Sequence, residues 1–375
     1  MRIVSAILAS FATLAVSGSP AAIKTGQLIV KLKDGASSNT LLKSIGEDVT
    51  HRWEIGFKGF AGTFSEKSLV ALRSSPDVES ISEDGLMHAF AIQTDAPWGL
   101  ARLSSENRLE NNNASALNFS YTYDSAGGAG VDVYVVDTGI YTEHTEFEGR
   151  ARWGATFGGY APADGNGHGT HCAGVVAGHR FGVAKAASVI AVKVLSDTGS
   201  ATVSDIISGL NFVIASARAS GRPSVVLMAL GGSASTALDN AVTAVTSAGI
   251  HVVAAGNSNT DAGNTSPARV PSVITVGAIT IADARSSASN YGSVVDVYAP
   301  GQNIISAWIG SPTATNIISG TSPAASFVAG LVAYLISVHG NLSPAAMKAL
   351  IKSLSLNGVL TGIPAGTANS LAHNA

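Results

Sequence analysis

Two patterns of hydrophobic and polar positions divide the chain near residue 90. Before that point, short apolar runs with a period of two alternate with helical spacings, and charged residues are frequent. The predicted order is strand, helix, strand, strand, helix, strand, at residues 28–32, 40–45, 53–57, 60–64, 67–73 and 78–82. This order is typical of a small α+β module built on a split βαβ sheet.

After residue 90, continuous apolar runs bounded by glycine alternate with amphipathic helical stretches. The runs predict strands at residues 131–136, 189–194, 225–230, 251–255 and 273–276. The amphipathic stretches predict helices at residues 204–218 and 236–247. Runs that are apolar on both faces indicate a parallel sheet covered by helices on each side. The predicted fold class is therefore α/β, preceded by a small α+β domain.

The N-terminus has its own pattern, in which Arg2 precedes an apolar run at residues 3–16 and small residues follow. This layout is typical of a secretory signal peptide, which we place at residues 1–19. A buried helix and a membrane anchor are the alternatives. A bilayer span needs about 18 or more apolar residues, so this run is short for an anchor.

Composition narrows the function classes. The chain has 375 residues, of which 46% are hydrophobic and 13% charged, and its net charge is −3. These values favour a compact enzyme and give no reason to expect nucleic acid or a membrane surface as a partner. Cys172 is the only cysteine, so no intramolecular disulfide can form. Four Asn-X-Ser/Thr sequons fit a secreted glycoprotein, although such patterns also arise by chance: Asn113, Asn118, Asn264 and Asn341.

Three motifs carry candidate chemistry. Asp137 ends the apolar run VDVYVVD, at the sheet edge where active sites of parallel sheets gather. His168 lies in the glycine-flanked run DGNGHGTHCAG, where a catalytic imidazole is favoured over a metal site because no HExxH pattern is present. Ser322 lies in SGTSPAAS and is predicted to cap a long helix. Each motif alone has an ordinary structural explanation, as a turn or a cap.

Together the motifs occur in the order Asp, His, Ser, which is one of the known orders of a catalytic triad. The chain resembles the subtilisin superfamily, and most closely its proteinase K-like fungal branch. Further stretches carry the resemblance, namely APWGLAR (96–102), EFEGRA (146–151), VKVL (192–195), AAGN (254–257) and SNYGSVVD (289–296). The resemblance implies a secreted, monomeric serine endopeptidase at residues 91–375, with an inhibitory propeptide at residues 20–90. Protein substrates and its own propeptide are the implied partners.

The resemblance also assigns residues to roles. Asp137, His168 and Ser322 form the implied triad, and the Asn257 amide faces the oxyanion. Substrate is expected beside two strands and a first specificity pocket, formed by Gly199, Ser200, Ala201, Ala229, Leu230, Gly231, Ala254 and Gly256. Because these segments are uncharged, apolar or aromatic residues are expected before the cut. Phe90, just before the expected mature start at Ala91, fits self-cleavage with that preference.

No cofactor for catalysis is implied. A structural calcium ion is implied at the carbonyl oxygens of Pro271 and Val273 and the carboxylate of Asp296, because oxygen ligands suit calcium.

The serine motif departs from the family pattern, since GTSPAASF stands where GTSMAxPH is usual. Pro323 follows the serine, Ser326 replaces a proline and Phe327 replaces a histidine. Ala201 and Ala229 also stand where glycine and serine are common. A catalytically impaired homologue that binds peptides without turnover is therefore the alternative hypothesis. An esterase is disfavoured, because the G-x-S-x-G elbow of α/β-hydrolases is missing.

Overall fold

The structure is a computed structural model that describes residues 27–45, 49–85, 90–254 and 256–374. The signal peptide predicted at residues 1–19 lies outside the described residues. The chain divides into two compact units between residues 87 and 88. Each unit has a sheet and a hydrophobic core of its own.

The first unit has the predicted order of elements. They are β1 (Leu28–Leu32), α1 (Ser38–Ile45), β2 (Val49–Trp53), β3 (Gly59–Gly62), α2 (Glu66–Ser74) and β4 (Val78–Glu83). The strands form an antiparallel sheet in the order β2-β3-β1-β4, which is the split βαβ arrangement. The side chains of Val30, Phe60 and Leu72 are fully buried in its core.

One strand of the first unit was predicted in the wrong place. The sequence predicted a strand at residues 53–57, whereas β2 ends at Trp53 and a turn follows. Gly56 adopts a φ of 75°, which a strand does not accommodate. Ile55 is 95% exposed, so the apolar residues of this stretch belong to the turn rather than to the core.

The second unit is the larger one. Its strands are β5 (Phe90–Ala96), β6 (Phe119–Asp124), β7 (Asp132–Asp137), β8 (Ala151–Thr156), β9 (Ser188–Lys193), β10 (Ser224–Met228), β11 (Gly232–Ser233), β12 (His251–Ala254), β13 (Thr265–Ser266), β14 (Ile274–Ile279), β15 (Val297–Pro300), β16 (Ile304–Ala307), β17 (Thr315–Ile318), β18 (Leu356–Asn357) and β19 (Ser370–Leu371). Its helices are α3 (Trp98–Leu103), α4 (His168–Ala177), α5 (Val203–Ser220), α6 (Thr236–Ser247), α7 (Thr321–His339) and α8 (Pro344–Leu354), with 3₁₀ turns at Thr145–Phe147 and Ala262–Asn264.

Nine strands of this unit form one sheet, in the order β18-β19-β15-β14-β12-β10-β7-β9-β8. Among the described strands of this sheet, every pairing from β8 to β19 is parallel and the edge pair β18–β19 is antiparallel. Alternate residues of β7 enter different cores: Val133 and Val135 pack with α4 and α7, while Tyr134 and Val136 pack with α5 and α6. The predicted α/β class, with helices on both faces of a parallel sheet, is confirmed.

Helix α7 passes through the larger core. The helix has 19 residues, and an 18-residue stretch of it has a mean hydropathy of 1.6, so it is long and apolar enough to cross a bilayer. However, 83% of that stretch is buried inside the protein. A helix that is apolar all round is expected in the core of a large domain. The side chain of Val183 lies against Gly330, so α7 packs closely at that point. The first turn of α7 carries Ser322.

Candidate active site

Asp137 and His168 meet at the carboxyl edge of the sheet. Asp137 is the last residue of β7 and is fully buried, and His168 is the first residue of α4. His168 Nδ1–H donates to the Asp137 carboxylate, at 2.8 Å from Oδ1 and 2.9 Å from Oδ2. The Thr138 backbone N–H also donates to Asp137 Oδ1, at 2.7 Å. The carboxylate is thus fixed, and it orients the imidazole.

A buried carboxylate that the sequence analysis did not single out orders the turn before His168. Asp164 Oδ1 accepts hydrogen bonds from Thr138 Oγ1 and from the backbone N–H groups of Asn166 and Gly167, at 2.8 to 3.1 Å. Asp164 Oδ2 accepts from the Thr170 N–H and hydroxyl at 3.0 and 2.6 Å. These bonds satisfy donors at the start of α4, where helical N–H groups have no partner.

Electrostatics favour the charged form of His168. The negative charge of Asp137 raises the pKa of His168 well above its ordinary value, with the adjacent Cys172 adding to the rise, while burial acts in the opposite direction. Cys172 is buried one helical turn further on, with Sγ 4.0 Å from His168 Nδ1. The potential ligand atoms of Asp137, His168 and Cys172 lie within 4.8 Å of one another.

The neighbouring His171 has a different environment. It is fully buried, its Nε2 lies 2.9 Å from the Ile304 carbonyl oxygen, and burial lowers its pKa to about 4. His171 is therefore a neutral core residue near neutral pH.

Ser322 is the second residue of α7 and is half-buried. The sequence predicted it as the N-cap, but the cap is Gly320, whose φ of 151° requires glycine. In the described residues the Ser322 hydroxyl donates to the Ala229 carbonyl oxygen at 3.0 Å, and no hydrogen bond joins it to His168. Hydrogen bonds between a nucleophile and its base are often loose in unliganded enzymes.

Two adjoining cavities border these residues. A cavity of about 720 Å³ is lined by His168 and by the predicted substrate segment Gly199, Ser200 and Ala201. A second cavity, of about 490 Å³, is lined by Ser322, Asn257 and Gly256. The predicted segment Ala229, Leu230 and Gly231 lines both cavities.

Ala254 does not line either cavity: it is fully buried in β12 and belongs to the core that faces α5 and α6. Ala254 was predicted to border the specificity pocket. In the structure it is Gly256, two residues further along the chain, that lines the second cavity.

Two glycines allow close packing around Asn257. A side chain at Gly256 would collide with the Asn290 amide, and one at Gly320 would lie 3.2 Å from Asn257 Nδ2. The Gly256 backbone N–H donates to the Thr321 hydroxyl at 3.1 Å, which joins the segment carrying Asn257 to the start of α7. Asn257 and Ser322 line the same cavity.

The unusual serine motif is accommodated without disrupting the helix. Pro323 is buried in the first turn of α7, where a missing N–H is tolerated. Ser326 Oγ donates to the backbone carbonyl oxygen of Ser322 at 2.9 Å, an oxygen that a proline at this position could not bond. Phe327 is buried, and its ring fills the space in front of Gly99.

The residues predicted to bind calcium do converge, but on a side chain. The Lys348 ammonium bonds to the Pro271 and Val273 carbonyl oxygens and to Asp296 Oδ2. In this arrangement the three oxygens do not fit a calcium ion, because the Nζ atom occupies the space between them.

Comparisons with known proteins identify the family of the chain. Residues 128–366 match the model of the subtilase family, and residues 26–90 match the model of the peptidase inhibitor I9 family. The subtilisin-like serine protease AsES of Sarocladium strictum is 45% identical over 354 residues, covering 92% of this chain and 88% of its own. The alkaline serine protease ver112 of Corniculantispora psalliotae is 46% identical over 355 residues, covering 93% and 90%.

A solved structure shows the same fold. The crystal structure of a cold-adapted subtilisin-like serine proteinase aligns with a TM-score of 0.68 at 42% identity, covering 75% of this chain and 99% of that chain. The fold and the two family matches together define the chain as a subtilisin-type serine endopeptidase that carries an inhibitor domain. The chain belongs to the subtilase family, and the resemblance to fungal subtilisin-like proteases is confirmed.

Proposed function

We propose that the chain is the precursor of a secreted endopeptidase in which Ser322 is the nucleophile, His168 the general base and acid, and Asp137 the group that orients His168. The observation that carries this proposal is the double contact between His168 Nδ1 and the buried Asp137 carboxylate, beside a cleft that also exposes Ser322. A hydrogen-bonded carboxylate fixes the tautomer in which Nε2 can accept a proton.

The proposed reaction is acyl transfer. His168 Nε2 takes the proton of the Ser322 hydroxyl as the oxygen attacks the peptide carbonyl carbon, and then gives it to the leaving amine. The acyl-enzyme is released when water attacks, with His168 again accepting the proton. The Asn257 amide and the Ser322 backbone N–H stabilise the oxyanion. Losing one such donor typically lowers kcat by about a hundred- to a thousand-fold.

The proposed substrate is an extended polypeptide. It lies between segments 199–201 and 229–231, which line the cleft and add main-chain hydrogen bonds in the manner of β-augmentation. The lining of the second cavity carries no charged side chain among the described residues. An uncharged pocket favours an apolar or aromatic residue before the cut, and Phe90 before Ala91 has that character.

The proposed maturation follows the same logic. Residues 1–19 direct secretion, residues 20–90 restrain the enzyme as an inhibitory propeptide, and residues 91–375 act outside the cell as a monomer. The inhibitor I9 match at residues 26–90 supports the restraint. The four sequon asparagines are exposed, as attachment of sugar requires.

A catalytically impaired homologue is the second candidate, and the altered serine motif favours it. The test is to express the wild type beside Ser322→Ala, with Ser319→Ala as a matched control that removes a hydroxyl three residues earlier. Mass, N-terminal sequence, and cleavage of casein and a Phe-anilide peptide are recorded. We expect wild type and control to start near Ala91 and to digest casein, while Ser322→Ala stays a precursor. If all three stay unprocessed and inactive, the impaired homologue is the correct reading.

A further inference from the structure

The side chain of Lys348 lies where the family resemblance places a calcium ion. Its Nζ is 3.0 Å from the Pro271 carbonyl oxygen, 2.8 Å from that of Val273, and 2.7 Å from Asp296 Oδ2. These are the lengths of ordinary hydrogen bonds and charge-assisted pairs. The Asp296 side chain is only 7% exposed and that of Lys348 21%, so the cluster is largely shielded from solvent.

An ammonium group suits these oxygens completely. Lysine has three N–H donors and no acceptor, and each donor here has one oxygen. Asp296 Oδ2 also accepts from the Thr275 backbone N–H at 3.0 Å. Lys352 Nζ lies 3.7 Å from the other carboxylate oxygen. The negative charge of Asp296 is therefore already balanced by lysines of this chain.

A calcium ion would need a different arrangement. Calcium takes six to eight oxygen ligands at about 2.3–2.6 Å. An ion between the same three oxygens would occupy the position of Lys348 Nζ, and it would place a doubly charged cation near Lys352 where a single charge now lies. Like charges at such distances repel strongly where water is partly excluded.

We infer that the ammonium of Lys348 is a built-in cation that takes the place of calcium. It ties helix α8 to the segment in front of β14 and to Asp296 in front of β15. The tie forms on folding and needs no metal from the surroundings. The stability of this region is therefore independent of free calcium, whether or not the catalytic proposal holds.

The test measures thermal unfolding of the full chain in a Ser322→Ala background, which prevents self-digestion. The parent, Lys348→Ala and Lys352→Ala are each melted in EDTA and in calcium chloride. The parent is expected to melt at the same temperature in both. Lys348→Ala leaves Asp296 without its close partner, so its Tm in EDTA is expected to fall by on the order of 5–10 °C. Lys352→Ala is the matched control, and its Tm is expected to stay near that of the parent because the contact is long and half-exposed.

Two results would overturn the inference. One is calcium-dependent stabilisation of the parent that Asp296→Asn abolishes, because the metal would then displace the lysine. The other is a Lys348→Ala chain that melts where its parent melts. Calorimetric titration with calcium alone gives a second readout, in which the parent is expected to show no binding that depends on Asp296.

Discussion

At the scale of single residues, the charge on Asp137 sets the protonation of His168. Catalysis as a base needs the neutral imidazole, and Asp137 raises the pKa of His168 well above its ordinary value. As the pH falls, activity should therefore be lost at a higher pH than it would be if His168 had the ordinary histidine pKa of about 6.5. The same interaction stabilises the folded state. Its contribution is fully present below the pKa that His168 has in the unfolded chain, and it is lost as the pH rises through the higher pKa that His168 has in the folded chain.

Asp137→Asn tests this reasoning. The substitution removes the charge, so the acid limb of kcat/KM is expected to move to lower pH, while kcat falls about 10⁴-fold because the imidazole loses its orientation. Steady-state kinetics measured across the pH range give both kcat and the acid limb of kcat/KM. Glu110→Gln, which removes a charge from an exposed position, is the control and should leave the limb in place. An unchanged limb in Asp137→Asn would mean that Asp137 does not control the titration of His168.

The residues of the site differ in how well the sequence predicts them. Asp137, His168 and Ser322 stand in glycine-flanked runs whose order is informative. In the structure Asp137 bonds to His168, and His168 and Ser322 line two cavities that share the segment 229–231. The partner of Asp296 was not predictable in this way. Lys348 lies 77 and 75 residues from Pro271 and Val273 and meets their backbone oxygens, and backbone groups leave no signature in a sequence.

At the scale of elements, the turn from residue 164 to residue 167 positions helix α4. Its hydrogen bonds converge on Asp164, and Gly167 has a φ of 100° with the Trp308 ring lying against it. The motif DGNGHG contains both residues. The glycines of this motif indicate a turn, whereas Asp164 carries no separate signal, because an aspartate in a turn is usually only a local cap.

Asp164→Asn should therefore weaken catalysis without touching the substrate. An amide replaces one acceptor oxygen with a donor that faces N–H and O–H donors, so the turn loosens and His168 shifts. A misplacement of about 1 Å can cost on the order of a hundred-fold, and we expect kcat to fall by about 10- to 100-fold with KM little changed. Steady-state kinetics on a Phe-anilide peptide give the split, with Glu110→Gln again as control. A rise in KM alone would assign Asp164 to substrate binding instead.

Two of the strands that the sequence did not predict share a physical cause. The strands β5, β6, β8 and β15 were not predicted, although each is paired in a sheet. In β5 and β8 polar residues interrupt the apolar positions, so their register is set by the partner strand rather than by their own pattern. Long apolar strands such as β7 and β10 were predicted correctly because both their faces are buried.

At the scale of the whole molecule, a buried ion pair joins distant parts of the second unit. Arg102 in α3 donates to Asp283 through Nε at 2.9 Å and Nη2 at 3.1 Å, and the side chains are 0% and 5% exposed. Removing one partner of such a pair leaves an uncompensated buried charge. The pair therefore makes the position of α3 sensitive to single substitutions.

Arg102→Met is expected to lower the free energy of unfolding by roughly 3–5 kcal/mol. For a unit of this size that corresponds to a fall in Tm on the order of 10 °C. Thermal unfolding in the Ser322→Ala background measures it. Arg180→Met is the matched control, since its pair with Asp95 is 37% and 58% exposed and such pairs contribute about 0–1 kcal/mol. If Arg102→Met and Arg180→Met have the same Tm, the buried Arg102–Asp283 pair contributes no more to stability than an exposed pair does.

The position of Ser322 in the first turn of α7 affects how the enzyme ages. Helix α7 is buried in the largest core of the chain, and backbone in such a place opens only when the whole unit unfolds. The residual activity of a warmed sample is therefore proportional to the number of molecules that remain folded. Each molecule that does unfold becomes a substrate for those that remain, so the loss is irreversible and accelerates with enzyme concentration. The shelf life of such a protease is shortest where it is most concentrated.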